Sequence, residues 1–110
     1  MKQFVTEEDV EEALDYLKSG AQKAAAAKAQ RAYLDDYTKV VKSKAMQRNS
    51  MSALGAQERD AYASREYAEH LEVLRIAVEE DEKHRYLLES ARATIDAWRT
   101  LCATERSMKL

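Results

Sequence analysis

Asp81 and His84 are the two residues whose types and spacing come nearest to a chemical site. Positions three apart lie on one face of a helix, where a carboxylate and an imidazole can bind the same metal ion. A metal site in a helical bundle needs further carboxylates and a second such pair on a facing helix. The chain offers only Asp35 and Asp36 there, and the expected helix register places both far away. We therefore predict no cofactor and interpret Asp81 and His84 as a polar element that fixes the register of packed helices.

Cys102 is the single cysteine, so it cannot form an internal disulfide. It continues an apolar helical stripe, which favours a small buried residue over a nucleophile. His70, the other histidine, is expected at the boundary of such a stripe. The sequence has no glycine-rich phosphate loop and no nucleophile elbow. Because a rod of two or three helices also lacks a deep substrate pocket, we predict that the protein is not an enzyme.

A basic segment with interleaved tyrosines is the candidate nucleic-acid surface. Residues 18–48 carry a net charge of +6 in a chain whose total is −2. Basic side chains bind phosphates, and aromatic rings stack on bases. The candidate contacts are Lys28, Arg31, Tyr33, Tyr37, Lys39, Lys42, Lys44 and Arg48. Lys39, Lys42 and Arg48 spread around the helix instead of forming one stripe, so neutralisation by acids of the same protein is the competing interpretation.

The elements that must position these residues are helices, because the chain has no proline and only two glycines. Thr6 followed by three acids is a good helix start, and Gly20 marks a stop or a kink. Turn residues between 49 and 55 place the reversal of the chain. The last helix would hold about 50 residues over roughly 75 Å, too long for a compact domain whose radius of gyration is ~13 Å. Within a single domain, helices are predicted near residues 6–19, 21–48 and 56–106.

Apolar residues at alternating spacings of three and four follow the last helix, which is typical of a coiled coil. A turn near residue 52 pairs positions whose numbers sum to about 105, and this register sets Lys23 and Lys28 near the acids at 79–82. We predict an all-α fold, a long antiparallel, coiled-coil-like helical hairpin with a short amino-terminal helix. One hairpin leaves an apolar flank in water, so we expect a homo-oligomeric helical bundle, with a dimer favoured. The oligomer seam would contain Tyr67, Leu71, Leu74, Val78, Leu88, Ile95 and Trp98.

The expected location is the cytoplasm. The amino-terminal residues run into acids without an apolar stretch, so no signal peptide is indicated. No run approaches eighteen consecutive apolar residues, so we expect no membrane partner.

Short motifs along residues 13–100 resemble a set of uncharacterised helical proteins of tailed bacteriophages and prophages. The shared features are Ala13-Leu14-Asp15-Tyr16-Leu17, Ala29-x-Arg31-x-Tyr33-Leu34, Glu58-Arg59 followed by Ala61, Ala63 and Tyr67, then Ala77-Val78 and Ile95-x-x-Trp98-Arg99. The resemblance implies an early-region phage product in the host bacterial cytoplasm, near replication or recombination functions. It supplies no catalytic residues.

The long seam and the lack of a chemical constellation predict a non-enzymatic interaction protein. It would act on a protein partner through its oligomeric helical surface. The alternative is an accessory DNA-binding factor that uses the basic second helix in phage replication or recombination.

Overall fold

The computed structural model of the chain describes residues 4–109, and every regular element in that range is a helix. The four helices are α1 (Glu7–Ser19), α2 (Ala21–Gln47), α3 (Leu54–Tyr62) and α4 (Arg65–Lys109). The predicted all-α antiparallel helical hairpin is confirmed. None of these helices is long and apolar enough to cross a membrane.

The chain divides into two compact units. Unit 1 contains residues 1–25 and 82–110, in which α1 packs against the carboxyl-terminal half of α4. Unit 2 contains residues 26–81, in which most of α2 packs against α3 and the first part of α4.

The start of α1 agrees with the sequence prediction. The Asp9 N–H donates to the Thr6 hydroxyl at 3.2 Å, and the Thr6 N–H donates to the Asp9 carboxylate at 2.9 Å. This reciprocal capping box satisfies two backbone donors that have no partner inside the helix. Glu7, Glu8 and Asp9 also lie in the first turn, where negative charge is stabilised by the helix dipole.

Gly20 joins α1 to α2 through a helical backbone conformation, with φ −82° and ψ −14°. Its N–H donates to the Tyr16 carbonyl at 2.7 Å, and its own carbonyl accepts from the Ala24 N–H at 2.9 Å. A β-carbon on residue 20 would lie 2.6 Å from the Tyr16 carbonyl oxygen and 2.9 Å from the Tyr16 ring. Glycine is therefore required here by the close approach of Tyr16.

Replacing Gly20 with alanine is expected to destabilise unit 1 by about 1–2 kcal/mol, although the same change inside an ordinary helix stabilises by about 1 kcal/mol. The reason is that the added carbon must displace backbone as well as the ring. Urea unfolding followed by circular dichroism measures the change. Gly55→Ala is the matched control, because nothing lies within 4 Å of its would-be β-carbon. An equal stabilisation by both substitutions would show that the approach of Tyr16 does not require glycine at position 20.

The predicted uninterrupted helix over 56–106 is wrong, because the chain leaves helical geometry at Ala63 and Ser64 between α3 and α4. The Ser64 hydroxyl donates to the Ala61 carbonyl at 2.7 Å and accepts from the Tyr67 N–H at 3.2 Å. The Ser64 hydroxyl thus binds a carbonyl of the last turn of α3 and caps the start of α4, which is the physical reason for the break. Tyr62 and Tyr67 pack edge to face across it, with ring centroids 5.3 Å apart.

In unit 2, the covered positions on both long helices repeat at spacings of three and four. The main row on α2 is Ala27, Arg31, Leu34, Thr38, Val41 and Ala45, and the main row on α4 is Tyr67, His70, Leu74, Ala77 and Asp81, with further half-buried residues such as Tyr37 and Val78 beside them. His70 meets Leu34, while Asp81, later in α4, meets Arg31, earlier in α2, so the two helices run antiparallel near the predicted register.

In unit 1, the same spacing holds. The main row of covered positions is Val10, Ala13, Leu17, Gly20 and Ala24 on one side and His84, Leu88, Ala91, Ile95, Trp98 and Cys102 on α4. The Tyr16 hydroxyl lies 3.3 Å from Nδ1 of His84, and Val10 lines one small cavity with Trp98.

Small side chains make the interior. Among the described residues, the buried apolar side chains are five alanines (Ala13, Ala45, Ala61, Ala77 and Ala91) and one leucine, Leu34. Alanine lets two helix backbones approach closely but removes little apolar area from water. Many large apolar side chains consequently stay on the surface.

Candidate interaction surfaces

The basic residues predicted to contact nucleic acid are largely used inside unit 2. Arg31 donates to Asp81 at 3.1 Å. Arg48 makes a two-fold hydrogen bond with Glu66, at 2.9 and 2.7 Å. These bonds are the main reason why the pKa of Glu66 falls to about 2, so its carboxylate stays ionised and bound to Arg48 at neutral pH.

Two lysines of the same segment lie over aromatic rings. The Lys42 ammonium is 4.7 Å from the centre of the Tyr62 ring and 3.8 Å from the Glu58 carboxylate. The contact with Tyr62 is the largest cause of its raised pKa. Lys44 lies 5.9 Å from the Tyr37 ring centre. Among the basic residues predicted to contact nucleic acid, Lys28 and Lys39 are exposed.

The two candidate tyrosines form a stack. The Tyr33 and Tyr37 rings lie 5.8 Å apart and nearly parallel, and the Tyr37 ring lies 5.9 Å from the imidazole of His70. Tyr37 is therefore half-buried against the hairpin, whereas Tyr33 is exposed on its outer side.

The prediction of His70 as a boundary residue is wrong, because its side chain is 8% exposed. Its Nε2 lies 2.9 Å from the Leu34 carbonyl oxygen and 2.8 Å from the Thr38 hydroxyl. A carbonyl oxygen can only accept, so Nε2 carries the proton and donates to it. The hydrogen bond gives the polar ring a partner at a position where leucine would be the usual residue.

Asp81 and His84 are both half-buried in the rows that carry the seam. Asp81 pairs with Arg31, whereas the sequence register set Lys23 and Lys28 near the acids at 79–82, and His84 meets Tyr16. Each side chain therefore makes a polar contact between the packed helices of its own unit. In the described part of the chain no three His, Cys, Asp or Glu side chains converge as metal ligands.

The residues predicted to form the oligomer seam are mostly covered by their own chain. Tyr67, Leu74, Val78, Leu88, Ile95 and Trp98 are half-buried. Leu71 is different, since 44% of it is exposed on the side of α4 away from the Tyr33 stack. Cys102 is half-buried at the end of the row in unit 1.

An exposed apolar surface that was not predicted lies along one side of unit 2. Lys44 and Glu66 line the same cleft between α2 and α4. Positions seven apart share a side of a helix, so Tyr37 and Val73 belong to this side as well. Neighbours one helical turn away extend the surface. We name it the unit 2 apolar flank, and its members are Tyr33, Tyr37, Val40, Val73 and Ile76.

The unit 2 apolar flank is substantially open to water. Four of its side chains are 39–61% exposed, namely Tyr33, Val40, Val73 and Ile76. A cluster of this size on a monomer is typical of an interaction site, whereas single exposed apolar residues are ordinary. Its signal in the sequence is limited to Tyr33 and Val40, which lie seven residues apart beside the seam.

A groove lies along α4 in unit 1, between this helix and both α1 and the residues Phe4 and Val5 that precede α1. Two cavities of about 330 and 370 Å³ share Phe4 and Val5 and therefore adjoin. We name their union the unit 1 groove. Its α4 side is lined by Leu87, Ser90, Ala91, Thr94, Ala97, Thr100, Leu101 and Thr104. The lining is small or apolar apart from hydroxyl groups, and Phe4 stands fully exposed beside it.

The α1 side of the unit 1 groove is acidic. Asp9 and Glu12 line it together with Ala13 and Tyr16. The surrounding α1 sequence has six carboxylates and a single lysine over Glu7–Ser19. An apolar floor beside an acidic edge can hold an amphipathic helix that carries basic residues.

Comparisons with protein-family models, curated proteins and solved structures found no match to this chain.

Proposed function

We propose that this protein is a non-enzymatic interaction protein that holds a basic amphipathic helix of a protein partner in the unit 1 groove. The observation that carries the proposal is the groove itself: an apolar channel with an acidic edge, built on two helices whose buried apolar residues in unit 1 are Ala13 and Ala91. Such a channel offers hydrophobic contact along its floor and charge selection along one side.

The size and lining of the groove fit a helix better than a small molecule. Small-molecule sites enclose most of their ligand and place a few polar groups that converge on it. The unit 1 groove is instead open along its length, and Leu87 and Leu101 contribute apolar surface about four helical turns apart on α4. A helix presents its side chains at a matching spacing.

Binding of a synthetic leucine–lysine amphipathic helix, about five turns long, tests the proposal. Fluorescence anisotropy should show micromolar affinity for this peptide, and affinity for a leucine–glutamate peptide should be at least roughly tenfold weaker. Leu87→Lys should weaken binding by roughly tenfold, because it removes apolar contact and repels the lysines. Glu12→Gln should weaken it less and reduce its dependence on salt.

The matched control is Tyr86→Lys, which adds the same charge on the same helix at an exposed ring that does not line the groove. It should leave affinity within about twofold of the original. Equal weakening by Leu87→Lys and Tyr86→Lys would show that the peptide responds only to total charge. No binding of the lysine peptide at low salt would contradict the proposal.

DNA contact by α2 has less support. Arg31, Lys42 and Arg48 are already paired with carboxylates of the same unit, so fewer cations remain to displace counterions from a phosphate backbone. The resemblance to phage helical proteins is as compatible with a protein partner, of phage or host origin, as it is with DNA contact.

A further inference from the structure

We infer that a second copy of this chain covers the unit 2 apolar flank, with α2 of each copy packed on α4 of the other. This inference goes beyond the proposed function, because it concerns a different unit and a different occupant. The pair would form a four-helix bundle in which the exposed side chains of the flank become an internal layer.

The composition of the hairpin shows why a further layer is needed. The contact between α2 and α4 inside one copy buries Leu34, Ala45 and Ala77 and leaves Tyr33, Val73 and Ile76 on the surface. This hairpin has large apolar side chains on its surface and small ones in its interior, which is the reverse of the usual distribution in a monomeric protein. Stacking a second hairpin on this side reverses the exposure of the large residues without changing the alanine contact.

The charges of the two helices select the second copy as the occupant. In α2, residues 26–47 hold five basic and two acidic residues, a net charge of +3. In α4, residues 65–81 hold two basic and six acidic residues, a net charge of −4. A two-fold interface must be complementary to itself, and a surface with one positive helix beside one negative helix has this property.

The same charges select the direction of the two-fold axis. An axis parallel to the helices places the positive α2 of one copy on the negative α4 of the other. An axis across the helices would stack α2 on α2 and α4 on α4, which brings like charges together. The parallel axis is therefore favoured.

The parallel axis also fixes which residues meet. It keeps every residue at its own level along the bundle. The bond from the His70 ring to the Leu34 carbonyl sets Tyr33 at the level of the turn that follows His70. That turn carries Val73 and, one turn on, Ile76. Each Tyr33 would therefore pack against the partner's Val73 and the partner's Ile76.

Sedimentation velocity across micromolar concentrations tests the assembly. The original protein should reach twice its 12.6 kDa mass. Ile76→Lys should raise the dissociation constant by at least roughly tenfold, because it places a charge in the internal layer. Leu71→Lys makes the same change on the opposite side of α4 at similar exposure, and should alter the constant by less than about threefold. Leu87→Lys, in the unit 1 groove, should leave the dimer intact, which separates this test from that of the proposed function.

A monomer throughout the concentration range would overturn the inference. An equal effect of Ile76→Lys and Leu71→Lys would overturn the assignment of the surface. Circular dichroism of each variant should match that of the original protein, since both positions are exposed.

Disulfide formation between two differently sized copies tests the arrangement, in a Cys102→Ser background. A mixture of Tyr33→Cys and Ile76→Cys proteins should give a cross-linked heterodimer. Tyr33→Cys alone should not cross-link efficiently, because diagonal helices of such a bundle lie about 13 Å apart, beyond the reach of a disulfide. More efficient cross-linking by Tyr33→Cys alone would show α2 on α2 and overturn the proposed packing.

Discussion

Replacing Ala61 with glutamate is expected to lower the melting temperature of the protein by roughly 10–25 °C. Ala61 is 1% exposed, the lowest exposure among the buried apolar residues of the described chain. It lies in α3, which connects the two long helices of unit 2. A carboxylate there must either lose its water or force α3 away from its neighbours. Either outcome costs about 3 kcal/mol or more.

Thermal unfolding monitored by circular dichroism measures this effect. The matched control is Ala68→Glu in the first turn of α4, where the alanine is exposed and a carboxylate suits the amino-terminal end of a helix. That variant should melt within about 3 °C of the original protein. If Ala61→Glu melts as late as Ala68→Glu, the packing described for α3 is wrong.

Replacing His70 with alanine is expected to reduce the free energy of unfolding by about 2–4 kcal/mol. The substitution removes a buried ring, so it leaves a cavity beside Tyr37. It also removes the hydrogen bond to the Leu34 carbonyl and the contact with the Thr38 hydroxyl. The two losses add, because one concerns packing and the other concerns polar groups held away from water.

Urea unfolding measures the His70→Ala effect, with Leu71→Ala as the control. Leu71 is the next residue and is substantially exposed, so its truncation should cost less than about 1 kcal/mol. Combining His70→Ala with Thr38→Val should show a coupling of about 0.5–2 kcal/mol, as expected for two side chains in direct contact. A larger effect at Leu71 than at His70 would restore the interpretation of His70 as a boundary residue.

The helical hairpin could be predicted because two independent signals agree. Apolar residues repeat at spacings of three and four on both long segments, and a single cluster of turn residues separates them. The contact of His70 with Leu34 lies close to the register obtained from those signals alone. The cap at Thr6 was predictable as well, since it depends on residues only three apart.

The break at Ala63 and Ser64 could not be predicted from local sequence. A serine inside a helix-forming stretch can bond back to the preceding turn without ending the helix, as Thr94, Thr100 and Thr104 do in α4. What distinguishes Ser64 is that its hydroxyl also accepts from the Tyr67 N–H. The Tyr62 ring that packs on Tyr67 is in turn held by Lys42 of another helix, a long-range contact.

The placement of His70 could have been found. Counting backward from Ala77 in strict steps of three and four gives Leu74, then His70, then Tyr67. Because Leu71 is more hydrophobic than His70, the predicted seam contains Leu71 in place of His70. The unit 2 apolar flank is harder to recognise in the sequence, because its members come from two helices and neither helix alone carries a repeat that marks it.

The alanine interior sets the lifetime of a copy that has no partner. Apolar burial supplies about 25 cal/mol per Å², and a methyl side chain offers little area, so an interior of alanines contributes little free energy to the folded state of the isolated chain. Proteases act on the transiently opened fraction of a protein, and a loss of one or two kcal/mol changes cellular abundance several-fold. Degradation would therefore remove unassembled copies first, and the amount of this protein in a cell would follow the amount of whatever binds it.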